Sequence, residues 1–219
     1  MPPDSAAAAL VDGAAALGLR IDAHKTALLL GYLRQLEKWN RVYNLTAVRD
    51  AGQMISQHLL DSMTVVEPLR RQLPALSSVL DVGSGAGLPG VVIAILMPEV
   101  EVACVDAVGK KAAFVRQTAA ELRLPNLRSV HGRVESVDEA APDLIVSRAF
   151  ASLAQFVAMT RHLRHDRTCW LAMKGSLPSQ EIAALPVDVE VFHVEQVAIP
   201  GLKAERHLVW MRMRTLHQG

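Results

Sequence analysis

The chain has 219 residues, 51% hydrophobic and 21% charged, with 23 Lys and Arg against 22 Asp and Glu for a net charge of +1. That length allows one large domain with at most a small appendage, and the composition can build a core, which excludes general disorder and fibrous low-complexity structure. The balanced charge excludes a strongly basic nucleic-acid-coating protein but not a local basic face; two cysteines, Cys104 and Cys169, are too few for a disulfide framework or a four-thiolate zinc site and fit a reduced cytoplasmic setting.

Residues 1–20 are alanine-rich, carry Asp4 and Asp12, lack a basic lead and break their alanine runs at Gly13. They read as a poorly specified helix or a disordered lead-in, not as a signal peptide. The longest apolar runs, such as Val91 to Met97, fall far short of the roughly 20 residues of a membrane span. From Asp22 to Trp39, Leu29, Tyr32 or Leu33, Leu36 and Trp39 recur at helical spacing, with Asp22 placed as a cap. A second helical stretch, roughly Asp50 to Leu69, follows Tyr43-Asn44-Leu45-Thr46 and holds His58-Leu59-Leu60-Asp61-Ser62. Residues 1–75 are therefore expected to form a helical cap.

After Pro74 short aliphatic runs alternate with helical stretches: Ser78 to Val82, Val100 to Val105, Asn126 to His131, Asp143 to Val146 and Cys169 to Met173. That alternation predicts a mostly parallel sheet covered on both faces. Val187 to Ile199 and Arg206 to Arg214 have no helix between them, so antiparallel pairing through Pro200-Gly201 is expected. The expected whole is an α/β fold over 76–219, a Rossmann-like seven-stranded sheet of the class I methyltransferase kind, the last step being analogy.

The most informative segment is Val79-Leu80-Asp81-Val82-Gly83-Ser84-Gly85-Ala86-Gly87-Leu88-Pro89-Gly90, followed by the helical run Val91 to Leu96. Glycines at alternate positions let the backbone turn sharply and admit a ligand against main-chain atoms, and Pro89 suits a first helical turn. Gly85, Gly87 and Gly90 also satisfy the dinucleotide spacing G-x-G-x-x-G, a weak signal alone. Asp81, at the strand end, is expected to aim its carboxylate into the ligand site, which would repel a pyrophosphate and tolerate a sulfonium; the pattern favours S-adenosylmethionine over NAD. Asp106, ending the next strand, is placed to accept ribose hydroxyls from either. Val134 and Glu135 fall where such folds meet the adenine. Arg148 and Lys174 follow the fourth and fifth strands at the ligand-binding edge, as site residues or as structural ion pairs.

Slot by slot, the chemistry narrows. Ser147-Arg148-Ala149-Phe150 stands where exocyclic amines are served by an Asp/Asn-Pro-Pro-aromatic turn, and Cys104 and Cys169 sit in strands, so neither reads as a nucleophile for pyrimidine carbon. Guanine N7 has a free lone pair and loses no proton, so it needs only in-line positioning and suitable electrostatics. His58, Asp61 and Ser62 read as local helical pairing because no nucleophile elbow accompanies them. His162 and His165 read as a solvated basic loop, and no metal site is expected. Lys110, Lys111, Arg116, Arg123, Arg128 and Arg133, opposed only by Glu121, give a basic face suited to phosphates or simply to solvent.

Six segments together resemble the RsmG (GidB) family, which methylates N7 of one guanine in bacterial small-subunit ribosomal RNA. They are Trp39 to Thr46, His58 to Ser62, Asp81 to Gly90, Arg133-Val134-Glu135, Ser147-Arg148-Ala149-Phe150-Ala151-Ser152 and Lys174-Gly175, and the likeness covers nearly the whole chain. The resemblance implies that Gly83, Leu88, Val134, Glu135 and Arg148 contact S-adenosylmethionine; Asp106 joins them from the wider superfamily pattern, and Asp81 and Gly85 from the reading of the strand end and loop above. It further implies 16S ribosomal RNA, free or in a small-subunit particle, as substrate; the cysteine count gives the expectation of a cytoplasmic setting, and a monomer is expected because no residue pattern demands a partner. In that setting Arg148 and Lys174 orient cofactor and base, while Asn44 and His58 help shape the acceptor pocket. The alternatives carried forward are an NAD-dependent oxidoreductase and a catalytically silent RNA-binding or assembly module.

Overall fold

A computed structural model describes residues 3–148, 150 and 152–214; Ala149 and Ala151 of the Ser-Arg-Ala segment lie outside the described residues. The chain opens with α1 (Pro3–Ala16) and α2 (Ala23–Tyr43). The α1 helix is firmer than its alanine content predicts because it has something to bury against: Leu10 and Ala14 are fully buried, and a Cβ on Gly13 would stand 2.5 Å from Leu60 Cδ1. In α2, Asp22 caps the start by accepting the Lys25 amide at 2.7 Å, and Asn44 closes the end in left-handed conformation at φ 49°. Its apolar stripe, Leu29, Tyr32, Leu33 and Leu36, is buried as the spacing predicts.

The second predicted helix is broken. It begins as α3 (Ala51–Met54), widens into a π-helical turn over Ile55–Leu60, tightens again as α4 (Asp61–Met63), and restarts as α5 (Val66–Gln72). That turn carries His58 and delivers Asp61 and Ser62 into the interior, all three buried.

Then come β1 (Ser78–Val82), α6 (Gly90–Leu96), β2 (Glu101–Asp106), α7 (Gly109–Glu121), β3 (Leu127–His131), β4 (Leu144–Ser147), α8 (Leu153–Thr160), β5 (Cys169–Lys174), α9 (Ser179–Ala183), β6 (Val189–Ala198) and β7 (Glu205–Met213). The strands form one seven-stranded sheet in the order β3-β2-β1-β4-β5-β7-β6, with β7 antiparallel to both neighbours. All seven predicted strands are present, with ends shifted by a residue or two.

Strand alternation assigns the two faces. Leu80, Val82, Ala103, Val105, Ile145 and Trp170 pack with Leu153, Phe156 and Val157 of α8. Val79, Val102, Cys104, Leu144 and Val146 pack with α6, α7 and the cap, so Leu10, Leu29, Leu36, Leu59 and Leu69 share one continuous core with Val91 and Ile95. Each such fully buried leucine brings about 2 kcal/mol of apolar burial, and those contacts hold the cap on the sheet. Among the described residues no helix is long and apolar enough to cross a membrane.

Candidate functional site

The reversal of strand order between β1 and β4 opens a crevice at the carboxyl edge of the sheet, the usual ligand position in such folds. The glycine loop closes on β2: the amides of Gly83 and Ser84 donate to the Val105 carbonyl at 2.9 and 3.1 Å. Gly83 and Gly85 adopt φ of 66° and 61°, and no atom lies within 4 Å of where their side chains would begin. Gly90 is a packing glycine: its Cβ would stand 2.4 Å from Cys104 Sγ, so α6 rests directly on β2.

Asp81 differs from expectation. Its side chain has no exposed surface, and Oδ2 accepts the Gly90 amide at 2.8 Å while Oδ1 is buried without a hydrogen-bond partner. The carboxylate therefore braces the loop from beneath, because strand alternation turns residue 81 toward α6. Burial raises its pKa to about 7, against the opposing pull of the Gly90 amide and Arg148. Leu88 is likewise buried in the core under the loop.

A cavity of about 350 Å³ lies on the open side, lined by Val82, Gly83, Asp106, Val134, Glu135 and Phe150, among others. Four of the expected contact residues, Gly83, Asp106, Val134 and Glu135, thus come together. Asp106 is held by two amides, Gly85 at 2.9 Å and Val108 at 2.8 Å, and lies 3.9 Å from Lys111 Nζ. Gly85 serves as its anchor.

Arg148 and Lys174 share a narrow crevice with Phe150, which also lines the cavity. Both make ion pairs. Lys174 Nζ donates to Glu181 Oε2 at 2.8 Å and to the Phe150 carbonyl at 3.2 Å. Arg148 Nη1 donates to Asp61 Oδ2 at 3.1 Å and to the Gln57 carbonyl at 3.4 Å. Asp61 takes a second donor on Oδ1, Nε of Arg206, at 2.7 Å.

The remaining candidates fall into place around this frame. His58 Nε2 lies 2.8 Å from Thr46 Oγ1, and burial, then the charge of Arg148, lowers its pKa and keeps the ring neutral. Asn44 lines a separate polar cavity of about 390 Å³ with Asn40, Arg41, Arg49 and Asp50. Cys104 and Cys169 are buried free thiols, both with pKa raised by burial. His165 faces Asp143 at 3.5 Å, and no metal-binding cluster occurs among the described residues. Of the basic stripe, Lys110 is tied to the Tyr43 carbonyl and Arg128 to Glu139, while Arg133 lines the cavity.

Three residues escaped the sequence reading. Asp61 reads as local pairing, yet its partners are 87 and 145 positions away. Arg206 gave one signal, a charge beginning a strand whose next residues are buried. Tyr32, read only as core, donates from its hydroxyl to the Ala86 carbonyl in the glycine loop at 2.7 Å.

Comparison with known proteins bears on the family and the fold. The ribosomal RNA small subunit methyltransferase G of Leptothrix cholodnii is 54% identical over 208 residues, covering 94% of this chain and 95% of that protein. Among solved structures, TrmN from Thermus thermophilus superposes with a TM-score of 0.56 at 16% identity, covering 73% of this chain and 53% of that one, so the chain spans about half of that protein. The glycopeptide N-methyltransferase MtfA, complexed with sinefungin, gives 0.58 at 13% identity over 68% of this chain and 85% of that one. At such identities the structural likeness establishes the class I methyltransferase fold alone. The family model described as rRNA small subunit methyltransferase G matches residues 25–209, and the chain belongs to that family.

Proposed function

We propose that the chain transfers the methyl group of S-adenosylmethionine to N7 of a guanine in 16S ribosomal RNA, acting as a cytoplasmic monomer on the small-subunit particle or on the naked RNA. The observation that carries this reading is the match to the family over residues 25–209, joined to a cavity at the right edge of the sheet.

The residues present fit the cofactor. The open cradle above Gly83 admits a ligand against the backbone, the anchored Asp106 carboxylate keeps lone pairs for ribose hydroxyls, and buried Val134 with exposed Glu135 offers an apolar wall and a polar rim for a purine. When bound there, the cofactor would supply a sulfonium-activated methyl group as the electrophile.

No proton leaves guanine N7, so the chain need supply no general base. Its work is positioning and electrostatics. Arg148, held by Asp61 and the Gln57 carbonyl, presents a fixed cation beside the cavity; Lys174 holds Phe150, which walls it. Asn44, in its separate polar cavity, and the buried His58 both belong to the cap, the side assigned to the acceptor base.

Tritium transfer from labelled S-adenosylmethionine into small-subunit particles and naked 16S rRNA, followed by mapping of N7-methylguanine, tests this directly. Label at a single guanine is expected, and Arg148→Ala should abolish it with the fold intact. Cofactor binding without label would favour the silent assembly module. Tight NADH binding with no affinity for S-adenosylmethionine would overturn the reading in favour of an oxidoreductase.

A further inference from the structure

We propose that Arg206 is a positioning residue: acting through Asp61, it fixes the Arg148 guanidinium beside the cofactor cavity, an inference that rests on the function proposed above. Three distant parts of the chain meet in this clamp. Asp61 comes from α4, Arg148 from the turn after β4, and Arg206 from the start of β7.

The geometry is that of a shared anion. Asp61 is wholly buried with one oxygen on each arginine, at 2.7 Å to Arg206 Nε and 3.1 Å to Arg148 Nη1. The two arginine side chains stay 26% and 27% exposed, while the carboxylate they share has no exposed surface. A buried carboxylate without full pairing is strongly penalised, so Asp61 constrains both cations.

Charge decides the role. Asp61 with Arg148 alone would be a neutral pair; with Arg206 the trio carries a net positive charge beside the cavity. The Arg148 member of the trio lowers the pKa of His58, on the cap, and opposes the rise at Asp81, beneath the glycine loop. Removing Arg206 would leave Asp61 to Arg148 alone, neutralising it and drawing it inward.

The Lys174-Gly175 segment explains how Arg206 gets there. Lys174 pairs with His207 across β5 and β7, and Arg206 Nη1 lies 3.4 Å from where a Gly175 side chain would begin. A larger residue at 175 would occupy the lane along which Arg206 passes the end of β5.

The test is a double-mutant cycle on S-adenosylhomocysteine affinity, measured by calorimetry on the full chain. Arg148→Ala is expected to weaken binding about tenfold or more and Arg206→Gln about fivefold, with the double variant no weaker than Arg148→Ala, since residues acting as one unit are not additive. Arg206→Lys, which keeps the charge, should recover most of the loss; should Arg206→Gln fail to fold, Asp61→Asn stands in under the same criteria. Unchanged affinity in Arg206→Gln, or equal losses in both backgrounds, overturns the proposal. Wild-type protein that binds cofactor but transfers no methyl group to rRNA would overturn the proposed function, and the binding cycle would still judge the clamp.

Discussion

The hydroxyl of Tyr32, on the helical cap, donates a 2.7 Å hydrogen bond to the carbonyl of Ala86 inside the glycine loop. Both groups are buried, so the cap holds the cofactor loop in shape as well as covering the sheet. Tyr32→Phe leaves that carbonyl unpaired, at a cost of about 1–3 kcal/mol. A fall of several degrees in the thermal midpoint and weaker S-adenosylhomocysteine binding are expected; calorimetry reads both.

Asp81 gives the fold a pH dependence. Its folded pKa, about 7, lies above that of the unfolded chain, so between roughly pH 4 and pH 7 the folded state holds more protons than the unfolded one. The carboxyl thus contributes less stability as pH rises through that window and none of the change above it. In Asp81→Asn this slope is absent, and the oxygen facing Gly90 is kept. Denaturant unfolding of both proteins at steps from pH 4 to 9 should show the variant gaining on the wild type up to about pH 7, then a constant difference.

The loop glycines separate by what surrounds them. A side chain at Gly90 would meet Cys104 Sγ at 2.4 Å and Asp81 Oδ2 at 2.9 Å, so Gly90→Ala is overpacked and should lose about 1–3 kcal/mol or more. Gly83 has open space but a φ of 66°, so Gly83→Ala should cost only about 1–2 kcal/mol in the left-handed conformation. Its methyl would project toward the cavity that Gly83 lines, and cofactor affinity should fall about tenfold. Unfolding curves and ligand titrations on the two variants distinguish the stability loss from the binding loss.

RNA binding should depend weakly on salt. Lys110, Lys111 and Arg128 of the basic stripe have partners within the fold, and the chain carries net charge +1. The log–log slope of affinity against salt should be well short of the roughly −9 that ten phosphate contacts give. Filter binding of 16S rRNA across a salt series measures it.

Much of the architecture is legible in the sequence. Aliphatic runs bounded by turn residues located β1 to β7, Asp22 and the Leu29-Tyr32-Leu36 stripe located α2, and the glycine spacing after β1 located the ligand edge, because each signal is local and each is set by period or by backbone freedom. Gly83, Asp106, Val134 and Glu135 belong to that class: strand ends and the loops that follow them converge at one edge of a parallel sheet.

Other features depend on neighbours far away in sequence. The alanine-rich start is a helix because Leu60 receives Gly13, and the stretch from 50 to 69 breaks into a π-helical turn where Asp61 enters the interior. Asp81 braces the loop instead of facing the ligand, since only the packing of α6 shows which side of β1 is closed. The union of Asp61, Arg148 and Arg206 joins residues from both ends of the chain. The sequence by itself determined the strands and the loop, which follow from local pattern, and pointed to the family through its resemblance over six segments; the tertiary structure alone decided which charges are buried and paired, because burial is a property of the packed whole.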